Sequence, residues 1–123
     1  MKITTTIEYN KDDVEDIISV MFQSFNPYFM LDNTIEDWKK VKASLPKDAT
    51  IEEIARAVFE SDLAIKIIDV EDETEYYMTK NMFESGVQQA VDELYWDGDM
   101  DTIDAEVGDA ILQFALFDDI IYG

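Results

Sequence analysis

Residues 63–94 read LAIKIIDVEDETEYYMTKNMFESGVQQAVDEL, and two hydrophobic periods meet inside them. Leu63, Ile65 and Ile67 alternate, a polar break follows at Glu71, Asp72, Glu73 and Thr74, and Tyr76, Tyr77 and Met78 then resume the β-forming character. Side chains of these types suit a pleated, half-buried surface, and a short break joins antiparallel neighbours, so the stretch predicts a β-hairpin with an acidic tip. From Thr79 the period lengthens. Phe83, Val87, Ala90, Val91 and Leu94 share one helical face, Glu84, Gln88 and Asp92 line the other with no counter-ion expected among them, and Thr79 stands where a hydroxyl caps a helix start. A hairpin running directly into an amphipathic helix marks an α+β domain with a small antiparallel sheet.

Working back from the hairpin, Thr50 with Glu53 forms a capping box for a helix whose apolar face is Ile51, Ile54, Val58 and Phe59, ending near Ser61. Residues 26–50 carry a weaker pattern, a short helix begun by Thr34 and Asp37 and bearing Ile35, Trp38 and Val41. Lys39, Lys40, Lys42 and Lys47 make this the one basic patch, read as a solvated helix face that neutralises acids elsewhere rather than as a binding site. Asn10 caps a helix with Val14, Ile17, Ile18, Met21, Phe22 and Phe25 on one face, stopped before Pro27. Residues 2–9 alternate as a first strand. Working forward, a loop from Trp96 to Ile103 leads to a last helix with Val107, Ala110, Ile111, Phe114 and Phe117, ending on Asp118 and Asp119. Ile120, Ile121 and Tyr122 then form a short strand or tuck against the core. The predicted order is β-α-α-α-β-β-α-α in a single domain over residues 1–123.

Charge is the second organising feature. The chain has 29 acids against nine bases and no histidine, a formal charge of −20, and residues 67–123 hold 16 of the acids with one base, Lys80. Self-repulsion at this density works against compactness, so solubility alone does not account for it. Disorder is excluded by a composition 47% hydrophobic and 12% aromatic. Adaptation to high salt fits poorly with eight lysines among the nine bases and abundant Ile, Phe and Met. Without cysteine there is no disulfide or thiolate metal site, and with no leader-like or membrane-spanning apolar run the expected location is the cytoplasm.

Enzymatic readings lack their usual groups, since His and Cys supply most general bases, nucleophiles and soft ligands. Asp97, Asp99 and Asp101 match the first ligand positions of an EF-hand loop, but Thr102 stands where the sharp turn needs glycine and Gly108 where a bidentate Glu is needed, so neither a metal nor a cofactor is expected. The four glycines show no phosphate-cradling spacing, and the surface would repel a nucleic acid. Tyr76, Tyr77, Tyr95 and Trp96 are expected at the core or its edge. A domain of this length is roughly 35 Å across, over which duplex DNA carries about 20 charges, the same quantity as the protein's own. A folded carboxylate surface at phosphate density is suited to occupy a basic nucleic-acid cleft.

Residues 62–123 resemble a group of small acidic proteins encoded by phages and prophages of low-GC Gram-positive bacteria. The likeness rests on LAIKIIDVEDETEYYMT, on NMFESGVQQAV, and above all on the ending DAEVGDAILQFALFDDIIYG. In that family the ending more often reads ALFGEIVYG, so Asp118 replaces a glycine. The resemblance implies a phage origin, and with the anionic surface it implies similarity to DNA-mimicking anti-defence proteins, anti-CRISPR proteins among them. The expected role is non-enzymatic inhibition of a host DNA-binding effector, a CRISPR nuclease or surveillance complex or a restriction enzyme, at its basic DNA or PAM cleft. The expected contact residues are Glu71, Asp72, Glu73, Glu84, Asp92, Glu93, Asp97, Asp99, Asp101, Asp104, Glu106 and Asp109, with Asp118 and Asp119 as additions. The alternative is a phage structural, assembly or adaptor protein that associates through an aromatic patch at Tyr95, Trp96 and Phe117. A third, a carboxylate hydrolase with a divalent ion, would require tight metal binding.

Overall fold

Four of the five described α-helices begin where a side chain can satisfy their free amide groups. In the computed structural model, which describes residues 9–22 and 28–122, Asn10 accepts from Asp13 N at 2.9 Å and the Asp13 carboxylate returns the bond, opening α1 (Lys11–Met21). Thr50 and Glu53 form the same reciprocal box at α3 (Ile51–Glu60), Thr79 caps α4 (Lys80–Asp92), and Asp104 caps α5 (Ala105–Phe117). At α2 (Glu36–Ala43) the predicted start fails. Ile35 is the N-cap with no side-chain bond, because the Thr34 hydroxyl and amide both turn back to Asp32 Oδ1.

Three antiparallel strands, β1 (Phe29–Asp32), β2 (Ile65–Asp69) and β3 (Glu75–Met78), form a sheet in the order β1-β2-β3. The hairpin β2–β3 stands as predicted, with Ile65 opposite Met78 and Ile67 opposite Tyr76. The strand expected at 2–9 lies outside the described residues, whereas β1 was not expected. It pairs across a long insertion, Phe29 with Asp69 and Asp32 with Lys66. The Lys66 ammonium sits on the open face of the sheet between Asp32 at 3.1 Å and Glu75 at 2.9 Å, tying the three strands together. Phe29, Ile65, Ile67 and Met78 face the core, while Met30 and Tyr77 are exposed.

α5 is the central helix, packed by α1, by α4 and by β3, while α3 contacts α1, α2 and β2. Its burial is nearly all-round, from Val107 to Ala115, as expected for a helix covered on several sides. Two glycines permit the close crossings. A Cβ on Gly86 would stand 2.7 Å from Ile111 O, and one on Gly108 would press into the Val20 carbonyl and lie 2.8 Å from Met21 N. No described helix is long and apolar enough to cross a membrane.

The last residues tuck in rather than add a strand. Gln113, fully buried in an otherwise apolar run, accepts from Ile121 N at 2.9 Å and Tyr122 N at 2.8 Å, and its amide donates to Tyr122 O and to Asp109 Oδ2. All its hydrogen-bonding capacity is used. Tyr122 stacks on Tyr28 at 4.4 Å between ring centroids and donates its hydroxyl to the buried Asp69 carboxylate at 2.8 Å. That bond pushes the Tyr122 phenol up to about 12, helped by burial and by the charges of Asp69, Glu71 and Asp72.

Candidate functional site

The acids of the second half collect at the two ends of α5. At its C-terminal end, the Tyr122–Asp69 bond and the edge contact of Phe117 with Tyr76 hold the hairpin, whose tip carries Glu71, Asp72 and Glu73. At its N-terminal end the loop 93–104 brings Asp97, Asp99, Asp101 and Asp104, with Glu106 in the first turn of α5. A thirteen-residue helix at 1.5 Å per residue separates the two groups by about 20 Å.

Backbone amide groups hold several of these carboxylates in place. Asp72 Oδ1 accepts from Thr74 N at 3.0 Å, Asp97 Oδ1 from Asp99 N at 2.9 Å and from the Thr102 hydroxyl at 2.7 Å, and Asp99 Oδ1 from Asp101 N at 2.9 Å. Asp104 Oδ1 caps Val107 N at 2.9 Å. Donation from Thr74 holds Asp72, and donation from Thr102 and then Asp99 N holds Asp97, below the ordinary carboxylate range, so both stay charged well into acid. Asp97, Asp99 and Asp104 each keep one oxygen with no hydrogen bond among the described residues. The carboxylates of Glu71, Glu73, Asp101 and Glu106 are exposed and make no such bond among the described residues.

The remaining expected contacts are placed differently. Glu84 has a counter-ion after all, Lys80 one turn earlier at 3.8 Å, and it faces Tyr9, whose phenol is pushed up to about 12 by burial and then by this charge. Asp92 is half-buried and accepts from Gln88 at 3.0 Å. Glu93 is the exposed C-cap of α4. Asp109 is turned inward, with Oδ2 on Gln113 and a buried Oδ1 that has no partner among the described residues, and burial raises its pKa. No three carboxylates among the described residues converge as an ion would require.

The α4–α5 loop also departs from the predicted apolar pattern. Leu94 was placed on the buried face of α4, yet the helix stops at Asp92, and Leu94 lies beyond it at φ 65° with 90% of its surface exposed. The amides of Leu94 and Tyr95 return to Val91 O and Ala90 O, a Schellman ending in which the left-handed position is ordinarily glycine. Tyr95 is half exposed, at the edge of the core against Phe114, and Tyr77 is also half exposed. Trp96 is buried and donates its indole N–H to Asp99 O at 3.0 Å, so the patch foreseen at Tyr95, Trp96 and Phe117 is in fact Leu94 and Tyr95. These two line a groove of about 540 Å³ whose lining also includes Val107, Asp97, Asp104 and Glu106. Lys39 and Lys42 of α2, with Lys47, Leu45 and Pro46 beyond it, line a second hollow of about 380 Å³, and none of the three lysines has an ion pair among the described residues.

The signals for the missed residues were present but small. Gln113 is the lone polar residue in AILQFALF, and Asp69 is a charged residue at the inward position that continues the alternation of Ile65 and Ile67. No protein-family profile, curated protein or solved structure matches this chain.

Proposed function

We propose that this chain is a phage-encoded, non-enzymatic inhibitor that occupies the basic DNA cleft of a host defence effector, a CRISPR nuclease or surveillance complex or a restriction enzyme, as an anionic substitute for DNA. The observation that supports it is the fixing of Asp72, Asp97, Asp99 and Asp104 by backbone amides, the last three each with an oxygen left over. Serine or asparagine would satisfy the same amides without charge, so local structure does not explain the acids. Carboxylates held this way lose little freedom on binding, unlike those of a disordered acidic tail. The resemblance of residues 62–123 to phage proteins supports the setting.

The test uses Glu71→Lys, Glu73→Lys, Asp101→Lys and Glu106→Lys together, four side chains that cap nothing among the described residues. DNA cleavage by a CRISPR nuclease and by a restriction endonuclease of a low-GC Gram-positive host is measured with each protein, circular dichroism reporting the fold. The parent protein should inhibit one of them, more weakly at high salt and in competition with duplex DNA. The folded variant should need about 100-fold more protein or fail altogether. Undiminished inhibition by it would overturn the reading.

A further inference from the structure

We infer that the groove beside Leu94 and Tyr95 is a docking notch for an arginine side chain presented by a basic protein partner. It goes beyond the function proposed above and rests on it only in taking the partner to be basic. Charge neutralisation asks nothing of Leu94, yet this residue holds an apolar side chain in full solvent at a left-handed backbone position that suits glycine. Solubility and local stability both favour another choice there, and a partner that covers the side chain removes the first objection.

The lining selects the occupant. Leu94, the half-exposed Tyr95 ring and the largely buried Val107 line the groove together with three carboxylates, Asp97, Asp104 and Glu106. Asp97 and Asp104 each spend Oδ1 on internal bonds and keep Oδ2, and Glu106 makes no side-chain bond among the described residues. A guanidinium is planar and weakly hydrated, so it can lie on the Tyr95 face while its N–H groups reach the carboxylates and its stem covers Leu94. A lysine ammonium is a compact, strongly hydrated point charge and gains less from the ring. A wholly apolar side chain would bring no partner to three carboxylates.

The test titrates the full chain with Ac-Gly-Arg-Gly-NH2 and with Ac-Gly-Lys-Gly-NH2, observed by NMR. The arginine peptide should give saturable shifts centred on the Leu94 methyls, the Tyr95 ring and the Trp96 indole, with an affinity about fivefold above that of the lysine peptide. Leu94→Gly, which the backbone there accommodates, should keep the fold and weaken the arginine peptide about tenfold, while Asp48→Asn, an exposed acid outside the groove, should leave it unchanged. Shifts spread evenly over the hairpin tip and the loop, equal affinity for the two peptides, or indifference to Leu94→Gly would each overturn the notch. These outcomes are read without any nuclease, so the notch can fail while inhibition stands, and inhibition can fail while the notch stands.

Discussion

Asp118 sits at φ 58° at the end of α5, with its amide on Phe114 O and its carbonyl accepting from Gln89 Nε2 at 2.9 Å. A Cβ in the left-handed region costs about 1 kcal/mol, and a carboxylate at a helix C-terminus adds a few tenths more. The turn from α5 into the tail needs a positive φ, which glycine adopts without strain. Asp118→Gly should therefore stabilise the protein by about 0.5 kcal/mol and raise its Tm by roughly 2–3 °C in a thermal melt, after allowance for the extra freedom of glycine in the unfolded chain. Capping residues such as Asn10, Thr50 and Thr79 were legible because a cap acts within three residues of itself. Leu94 was not legible for the complementary reason. Its spacing continues the apolar stripe of α4, and nothing in a spacing reports that the backbone has already turned.

Among the elements, helices and the hairpin could be read because their partners are neighbours in sequence. β1 could not, since Phe29–Asp32 is a four-residue strand whose hydrogen bonds go to residues 66–69 and whose alternation is too brief to show a period. The acidic loop was legible as acidic but not as a set of turns, because Asp97 reaching Thr102 is a matter of geometry rather than composition. The crossing of α5 with α1 provides a test at this scale. Helix propensity alone would credit Gly108→Ala with about 1 kcal/mol, yet the new Cβ meets backbone atoms of Val20 and Met21, which can yield only by moving a whole helix. Overpacking should win, with a net loss of about 3 kcal/mol in urea unfolding and faster amide exchange in α1.

For the molecule as a whole, two carboxylates set opposite pH responses. Asp32 is lowered from 3.8 to about 2, first by the Thr34 hydroxyl and amide and then by Lys66. Its contribution is complete above the unfolded value and is lost as pH falls from about 4 towards 2. Asp109 is raised by burial, so its charge opposes folding at neutral pH, and that opposition fades as pH falls through its folded pKa towards the ordinary carboxyl value. Urea midpoints taken between pH 7 and pH 2 should show Asp32→Asn weaker than the parent at neutrality and equal to it at the acid end. Asp109→Asn should be stronger at neutrality, with its advantage shrinking as the parent's Asp109 takes up a proton. Either dependence running the other way would show that the group is not placed as described.

α2 rests chiefly on α3, whose other main contacts are α1 and β2 and not α4 or α5, so the lysines of α2 stand apart from the carboxylates of the α4–α5 loop. Separated charge of opposite sign is a permanent dipole moment superimposed on the net charge. A body of this kind feels a torque as well as a pull in the field of a positive surface, and it rotates during approach so that α2 trails and the α4–α5 side leads. Orientation then precedes contact.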